Sequence, residues 1–266
     1  MDYKEICFRV QEVARDAGKF IRKERKKLSN EDVETKSTAS FVTYVDKTSE
    51  QFIVGKLREI LPEAGFVTEE GTATSSGEPY RWIVDPLDGT TNYIHGIMPH
   101  SVSIALASDD EILIGVVYEI GLDEMFYAWK DSWAYMNKSV IKVTESSKHE
   151  DTLIATGFPY YDFDRIEDYI EVLRFLMKNT RGLRRMGSAA VDLAYVAAGR
   201  FDAFYEHALH AWDVAAGALI LKQAGGIVTD FNGGDNWLFG GEIVATNKNY
   251  FNAFYKIVNR HLGKRT

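Results

Sequence analysis

The chain has 266 residues, 45% hydrophobic and 26% charged, with a formal net charge of −8; it can bury a full core, and its negative field excludes nucleic acid and anionic membrane as default partners. One cysteine, Cys7, excludes an intrachain disulfide and fits a reducing cytoplasm. The start, MDYKEICFRV, lacks a basic segment followed by an apolar run, and no apolar stretch approaches the roughly 20 residues of a membrane span, so the expected location is cytoplasmic, with no membrane partner.

Along the chain, residues 3–28 predict an amphipathic helix: Ile6, Val10, Val13, Ala17 and Ile21 recur at helical spacing. Cys7 lies on that stripe and reads as core; Arg22 to Lys27 reads as a solvated last turn that complements the helix dipole. The segment 36–46 reads as a loop, and 47–61 as a second helix stopped by Pro62. The period then shortens. Phe66–Val67, Trp82–Val84, Val102–Ala107, Ile112–Tyr118 and Met125–Trp129 predict strands, with a polar loop at Thr72–Glu78. In the second half, Leu153–Thr156, Phe201–Tyr205, Ile227–Thr229 and Ile243–Ala245 predict strands. Helices are expected over 165–178, Ser188–Ala198, Val214–Ala224 and 250–262, and the aromatics of Phe163–Phe175 read as helix core. Blocks and alternation of this kind fit a layered α+β or mixed α/β protein, read as one domain over 1–266 with lobes at about 1–145 and about 146–266.

Carboxylates stand beside sharp turns at Asp46, Glu69–Glu70, Asp85-Pro-Leu-Asp88 and Asp213. Each has an ordinary structural explanation: Asp46 and Asp213 can cap helices starting at Lys47 and Val214, and Asp88-Gly89 is a tight-turn dipeptide. Spacing alone decides nothing, since 39 acids in 266 residues produce acid pairs three apart roughly six times by chance. Context says more. Arg81-Trp82-Ile83-Val84 is a buried-strand pattern ending at Asp85, and Pro86 stops it, so Asp85 and Asp88 can share one rim. Two such charges at 4 Å repel by ~4 kcal/mol at an effective dielectric of 20, which divalent cations would relieve. All-oxygen ligation suits Mg²⁺ or Mn²⁺ rather than zinc, and no His/Cys set has zinc spacing. Gly89-Thr90-Thr91 follows, a place where backbone N–H groups can approach an anion.

Trp82-Ile-Val-Asp-Pro-Leu-Asp-Gly-Thr-Thr-Asn92 resembles the first signature of the inositol monophosphatase family, and Trp212-Asp-Val-Ala-Ala-Gly217 with Gln223-Ala-Gly-Gly226 resembles the second. Val42-Thr-Tyr-Val-Asp46, Glu69-Glu70, Arg184-Arg-Met-Gly-Ser-Ala-Ala-Val-Asp192 and Tyr205-Glu206 support it in the family's order. The resemblance implies a layered αβαβα sugar-phosphatase fold, with two mixed or antiparallel sheets between helix layers. It implies a homodimer that hydrolyses a small phosphate monoester, foremost myo-inositol monophosphate, with two or three Mg²⁺ ions and inhibition by lithium. Carried over, Glu69, Asp85 and the Leu87 carbonyl hold a first metal, and Asp85, Asp88 and Asp213 a second. Glu70 and Asp46 act around a third or its waters, with Glu69 and Thr90 completing the catalytic set. Gly89 and Thr90 offer N–H groups to the phosphate, while Asp88, Gly187, Ser188, Ala189, Glu206 and Asp213 line the alcohol end. Two positions depart from the pattern: Thr68 replaces a glycine, and Ser40 an aspartate.

Fructose 1,6-bisphosphate, histidinol phosphate and a 3′-phosphoadenosine nucleotide are rival substrates. A regulatory protein binding the transcription machinery is the rival of another class, without direct nucleic-acid contact. Arg184 and Arg185 read either as phosphate helpers or as an exposed strand or dimer face, and His95, His100, His207 and His210 as structural or rim residues.

Overall fold

A computed structural model describes residues 1–27, 35–73, 79–109, 111–158 and 163–263, residues 35–41 by their backbone alone. The expected loop at Thr72–Glu78 lies outside the described residues beyond Ala73, as does the C-terminal Lys264–Thr266.

Alternation along the strands sets the layers. The seven-stranded sheet runs in order β1(Gly65–Thr68), β2(Tyr80–Asp88), β3(Ser101–Ser108), β4(Glu111–Glu119), β5(Glu124–Trp129), β6(Ala134–Met136), β7(Ser139–Ile141), parallel only between β1 and β2. On one face Trp82, Val84, Val102, Ile104, Leu106, Ile114 and Val116 pack against the stripe of α1(Tyr3–Arg25) and against α2(Thr35–Ile60). The other face shows Ile83, Ala105 and Ala107 to a central layer, α5(Ala189–Ala197) and α6(Ala211–Gln223). Across that layer lies a five-stranded sheet in order β11(Gly226–Thr229), β12(Glu242–Asn247), β10(Ala203–His207), β8(Leu153–Thr156), β9(Gly182–Arg184). Its outer face is covered by α4(Ile166–Asn179) and α7(Phe251–Leu262). Successive residues of β10 and β12 divide between the two faces: Phe204, Ile243 and Ala245 point inward, Tyr205 and Val244 outward. The helix–sheet–helix–sheet–helix order agrees with the layered α+β expectation.

Close approach explains the small residues of the middle layer. A Cβ on Gly115 would sit 2.6 Å from the Ala216 carbonyl oxygen, and one on Gly217 2.6 Å from Leu193 Cβ. Gly115→Ala is therefore expected to destabilise the protein by about 1–3 kcal/mol, read as a lower thermal midpoint; an unchanged midpoint would mean that β4 and α6 can separate freely.

Three readings need correction. Helix α2 begins at Thr35, so 36–46 is helical and Asp46 lies inside a helix rather than at its N-cap. The polar, β-branched run Thr43–Ser49 hid this; burial of Val45 in the core beneath the sheet outweighs its weak propensity. Helix α6 begins at Ala211, with Asp213 in its first turn and its carboxylate accepting the His210 N–H. Phe163 is exposed, whereas Tyr169 is core. Ser188 caps α5 as expected, accepting from Val191 N–H. Cys7 is buried, its thiol pushed up to about 12 by burial.

Candidate active site

Strand β2 delivers two acids to one place through an irregularity. Residues three apart on a regular strand face opposite sides. Here Asp85 pairs with Ser103 and Asp88 with Ser101, so β2 carries one residue more than β3 across this stretch. Pro86 lacks the N–H that a regular ladder needs, and the bulge turns both carboxylates toward the central helices. The strand thus continues irregularly through Pro86 rather than stopping there. Asp85 Oδ1 accepts the Leu87 N–H at 2.9 Å. Asp88 Oδ2 accepts from Ser188 Oγ at 2.6 Å and Ala190 N at 2.9 Å, which ties β2 to the start of α5.

Asp213 comes from the first turn of α6, held by Ser103 Oγ donating to the Trp212 carbonyl at 3.1 Å. Ligand oxygens of Asp85, Asp88 and Asp213 lie within 4.8 Å of one another. Glu69, one residue past β1, joins them: its N–H donates to the Val84 carbonyl, and its carboxylate is close enough to Asp85 to add to the effect of burial in raising that group's pKa. Asp46 and Glu70 are charged neighbours of Glu69. Asp46 is buried and its Oδ1 has no hydrogen-bond partner among the described residues, while Glu70 is half-buried.

The electrostatics follow. Burial, then the neighbouring charges, push Asp88, Asp213 and Glu69 up to about 7 and Asp46 to about 8; Asp85 goes well above the carboxylate range. The donor set contains carboxylates and no His or Cys, and it carries an orphaned acid oxygen at its edge. That chemistry fits a hard divalent cation.

A cavity of about 250 Å³ opens beside these acids. Glu69, Asp88 and Asp213 reach it, with Gly89 and Thr90 on one wall and Gly187, Ser188 and Ala189 on another. Gly89 has φ 88° and its Cα hydrogen faces the Pro99 and Gly187 carbonyls, so a side chain there would be strained and crowded. Thr90 begins the short helix α3(Thr90–His95), and its hydroxyl donates to the Leu87 carbonyl at 3.0 Å. Glu206, at the end of β10, is buried; burial and the nearby Asp213 hold its carboxyl well above the usual range, with Arg185 opposing.

Sequence reasoning missed several neighbours. Gly157 leaves room for the Glu206 carboxylate, which any side chain there would overlap. Asp192 is buried among Glu206, Asp88 and Arg185, with an unpartnered Oδ1. Glu50 on α2 anchors the Glu69–Glu70 turn. No local pattern marks Glu50 or Gly157, and Asp192 stands in the sequence only as the last residue of the Arg184–Asp192 motif, with no role of its own. Arg185, read two ways from sequence, lines the cavity beside Phe158. Of the histidines, His207 and His210 line it, with His210 stacked on Trp212 at 4.5 Å between centroids.

The inositol monophosphatase family profile matches residues 2–262. An inositol-1-monophosphatase of Mesorhizobium japonicum is 39% identical over 255 residues, 96% of either chain. The Nus factor SuhB of Pseudomonas aeruginosa is 41% identical over 254 residues, 94% of either chain. The solved inositol monophosphatase of Anabaena is 32% identical with a TM-score of 0.86, over 98% of both chains. These likenesses place the protein among metal-dependent phosphoric monoester hydrolases. It belongs to the inositol monophosphatase family.

Proposed function

We propose that the protein hydrolyses a small phosphate monoester, foremost myo-inositol monophosphate, using Mg²⁺ for which Mn²⁺ can substitute. The observation that carries this reading is the convergence of Asp85, Asp88 and Asp213 within 4.8 Å, with Glu69 beside them, at the mouth of a cavity of polyol size.

Uncatalysed monoester hydrolysis is among the slowest of reactions, so charge stabilisation must dominate. Glu69, Asp85 and the Leu87 carbonyl would hold one cation, Asp85, Asp88 and Asp213 a second, and Asp46 with Glu70 a third or its waters. Bound there, the cations would supply a more acidic water and neutralise charge on the phosphoryl group and the leaving oxygen. The N–H groups of Gly89 and Thr90 would orient the phosphate. The Thr90 hydroxyl already spends its proton on the Leu87 carbonyl, so its oxygen is free to accept from the attacking water. The unpartnered Oδ1 of Asp46 would take that water's proton, and attack would run in line without a covalent phospho-enzyme. Glu206 with Ser188, Gly187 and Ala189 would receive the alcohol end.

Phosphate release from a panel of inositol, fructose, histidinol and 3′-phosphoadenosine phosphates, with and without Mg²⁺, tests the reading; no Mg²⁺-dependent release from any of them would end it. Glu206→Gln is expected to raise KM for inositol phosphate about tenfold, a loss of ~1.4 kcal/mol, and to leave KM for a simple aryl phosphate nearly unchanged. Equal effects on both substrates would remove Glu206 from substrate recognition.

The Pseudomonas relative's name, a Nus factor, favours a second reading: a regulatory association with the transcription machinery. This chain's net charge of −8 suits a protein partner better than nucleic acid. Such a role should survive Asp88→Asn, so recovery of transcription-machinery subunits with that variant separates the two readings. We further propose a homodimer acting in the cytoplasm; no helix among the described residues is long and apolar enough to cross a membrane.

A further inference from the structure

The turn that carries Glu69 and Glu70 hangs on a side chain that the proposed chemistry does not use. Glu50 lies on α2 one helical turn after Asp46 and is fully buried, with 0% of its surface exposed. Its Oε2 accepts the Glu70 N–H at 2.8 Å. Its Oε1 accepts the Thr72 N–H at 2.8 Å and the Thr72 hydroxyl at 2.7 Å. Below them the Thr68 hydroxyl donates to the Ala73 carbonyl at 3.4 Å, and Gly71, at φ 66°, turns the corner. Thr68 itself ends β1, and the left-handed backbone of the turn falls at Gly71.

A purely structural tie has no need of a charge here. Asp46, Glu69 and Glu70 all have Glu50 as a repelling neighbour, so a carboxylate at this point adds to an existing crowd of negative charge. What it supplies is two charge-assisted acceptors on one rigid helix, together with negative potential facing the acid cluster. Without those bonds the turn would be free to swing away from α2, carrying Glu69 and Glu70 away from Asp46. A carboxylate clamp opposes that motion, so the acids need less reorganisation to receive a cation.

We propose that Glu50 is a positioning residue for divalent-cation capture: it locks the Glu69–Glu70 turn to the helix that bears Asp46 and so fixes the spacing of the three acids. This rests on reading those acids as cation ligands. Mn²⁺ titrated into metal-free protein, with free ion followed by electron paramagnetic resonance, reports affinity without any reaction. Glu50→Gln removes one acceptor and the charge; it is expected to weaken Mn²⁺ binding about tenfold. The Mg²⁺ concentration for half-maximal phosphate release should rise by the same factor, with kcat at saturating Mg²⁺ within about twofold of wild type. Thr72→Val removes only the hydroxyl arm and should weaken binding about threefold. Glu59→Gln, at an exposed position on the same helix, should change nothing.

Wild-type Mn²⁺ affinity in Glu50→Gln, whatever its thermal midpoint, would overturn the proposal. So would a kcat that stays depressed at saturating Mg²⁺, the mark of a damaged fold or of direct catalysis. Should Glu50→Gln fail to fold, Thr72→Val decides by the same affinity measurement. Wild-type protein that binds Mn²⁺ but releases phosphate from no substrate would defeat the hydrolase reading and leave the role of Glu50 standing.

Discussion

Asp88→Asn is expected to lower kcat/KM for phosphate release by about 10³-fold or more while leaving the fold intact. The amide can keep both structural bonds: its carbonyl oxygen can accept from Ser188 Oγ and Ala190 N, as Asp88 Oδ2 does. What it lacks is the charge. In the proposed mechanism Asp88 helps to hold a cation that stabilises the transition state by several kcal/mol, and losing ~4 kcal/mol of that is about a thousandfold in rate. The same substitution should stabilise the metal-free protein at pH 8 by about 1–3 kcal/mol, because it removes one member of a mutually repelling set. Opposite signs for activity and stability distinguish a ligand cluster from an ordinary structural network, where both would fall. Steady-state kinetics and thermal unfolding of the metal-free variant check it; activity within tenfold of wild type would show that Asp88 holds no essential cation.

Metal-free protein should lose stability as pH rises from about 4 to about 8. Burial and like charge hold Asp46 up to about 8, and Glu69, Asp88 and Asp213 up to about 7, whereas carboxyls in an unfolded chain titrate near 4. Within that window the folded chain keeps protons that the unfolded chain has released. Unfolding then releases protons, and stability falls with rising pH. The contribution is fully present below about pH 4 and gone above about pH 8, and its total is of order several kcal/mol. Mg²⁺ should reverse the trend at pH 8, because it binds the ionised cluster and not the unfolded chain. Thermal midpoints at pH 5 and pH 8, with and without Mg²⁺, measure this directly. A metal-free midpoint that rises across the window would mean that the acids are ionised and relaxed without a cation.

Much of the fold was legible because its signals are local. The 3.6-residue stripe from Ile6 to Ile21, the alternation of Val102 to Ala107 and the N-cap at Ser188 each appear within one element and are found where expected. The acids and their neighbours in the two signatures were legible as well, since each motif is contiguous. Their convergence across the chain was expected only through the family resemblance; the contacts that produce it were not legible. In sequence, Asp46 looks like an N-cap; only packing of its neighbour Val45 in the core makes it a buried acid inside a helix. Asp85 and Asp88 are expected on one rim because Pro86 would end the strand; they do meet, but through a bulge inside a continuing strand that only the pairing with Ser103 and Ser101 reveals.

Glu50 and Gly157 were invisible for the same reason, and so was the part played by Asp192: an acid or a glycine acquires its meaning from chain more than ten residues away, the Glu70 N–H, the Glu206 carboxylate, or Glu206 and Asp88 together. Composition and periodicity sufficed to specify helices, strands and a store of carboxylates, since hydrophobic patterning is written residue by residue. The distance between those carboxylates depended on how closely α6 could approach β4 over Gly115, and on which turn Glu50 gripped. Those are contacts between elements, and the energies that set them exist only once the layers have packed.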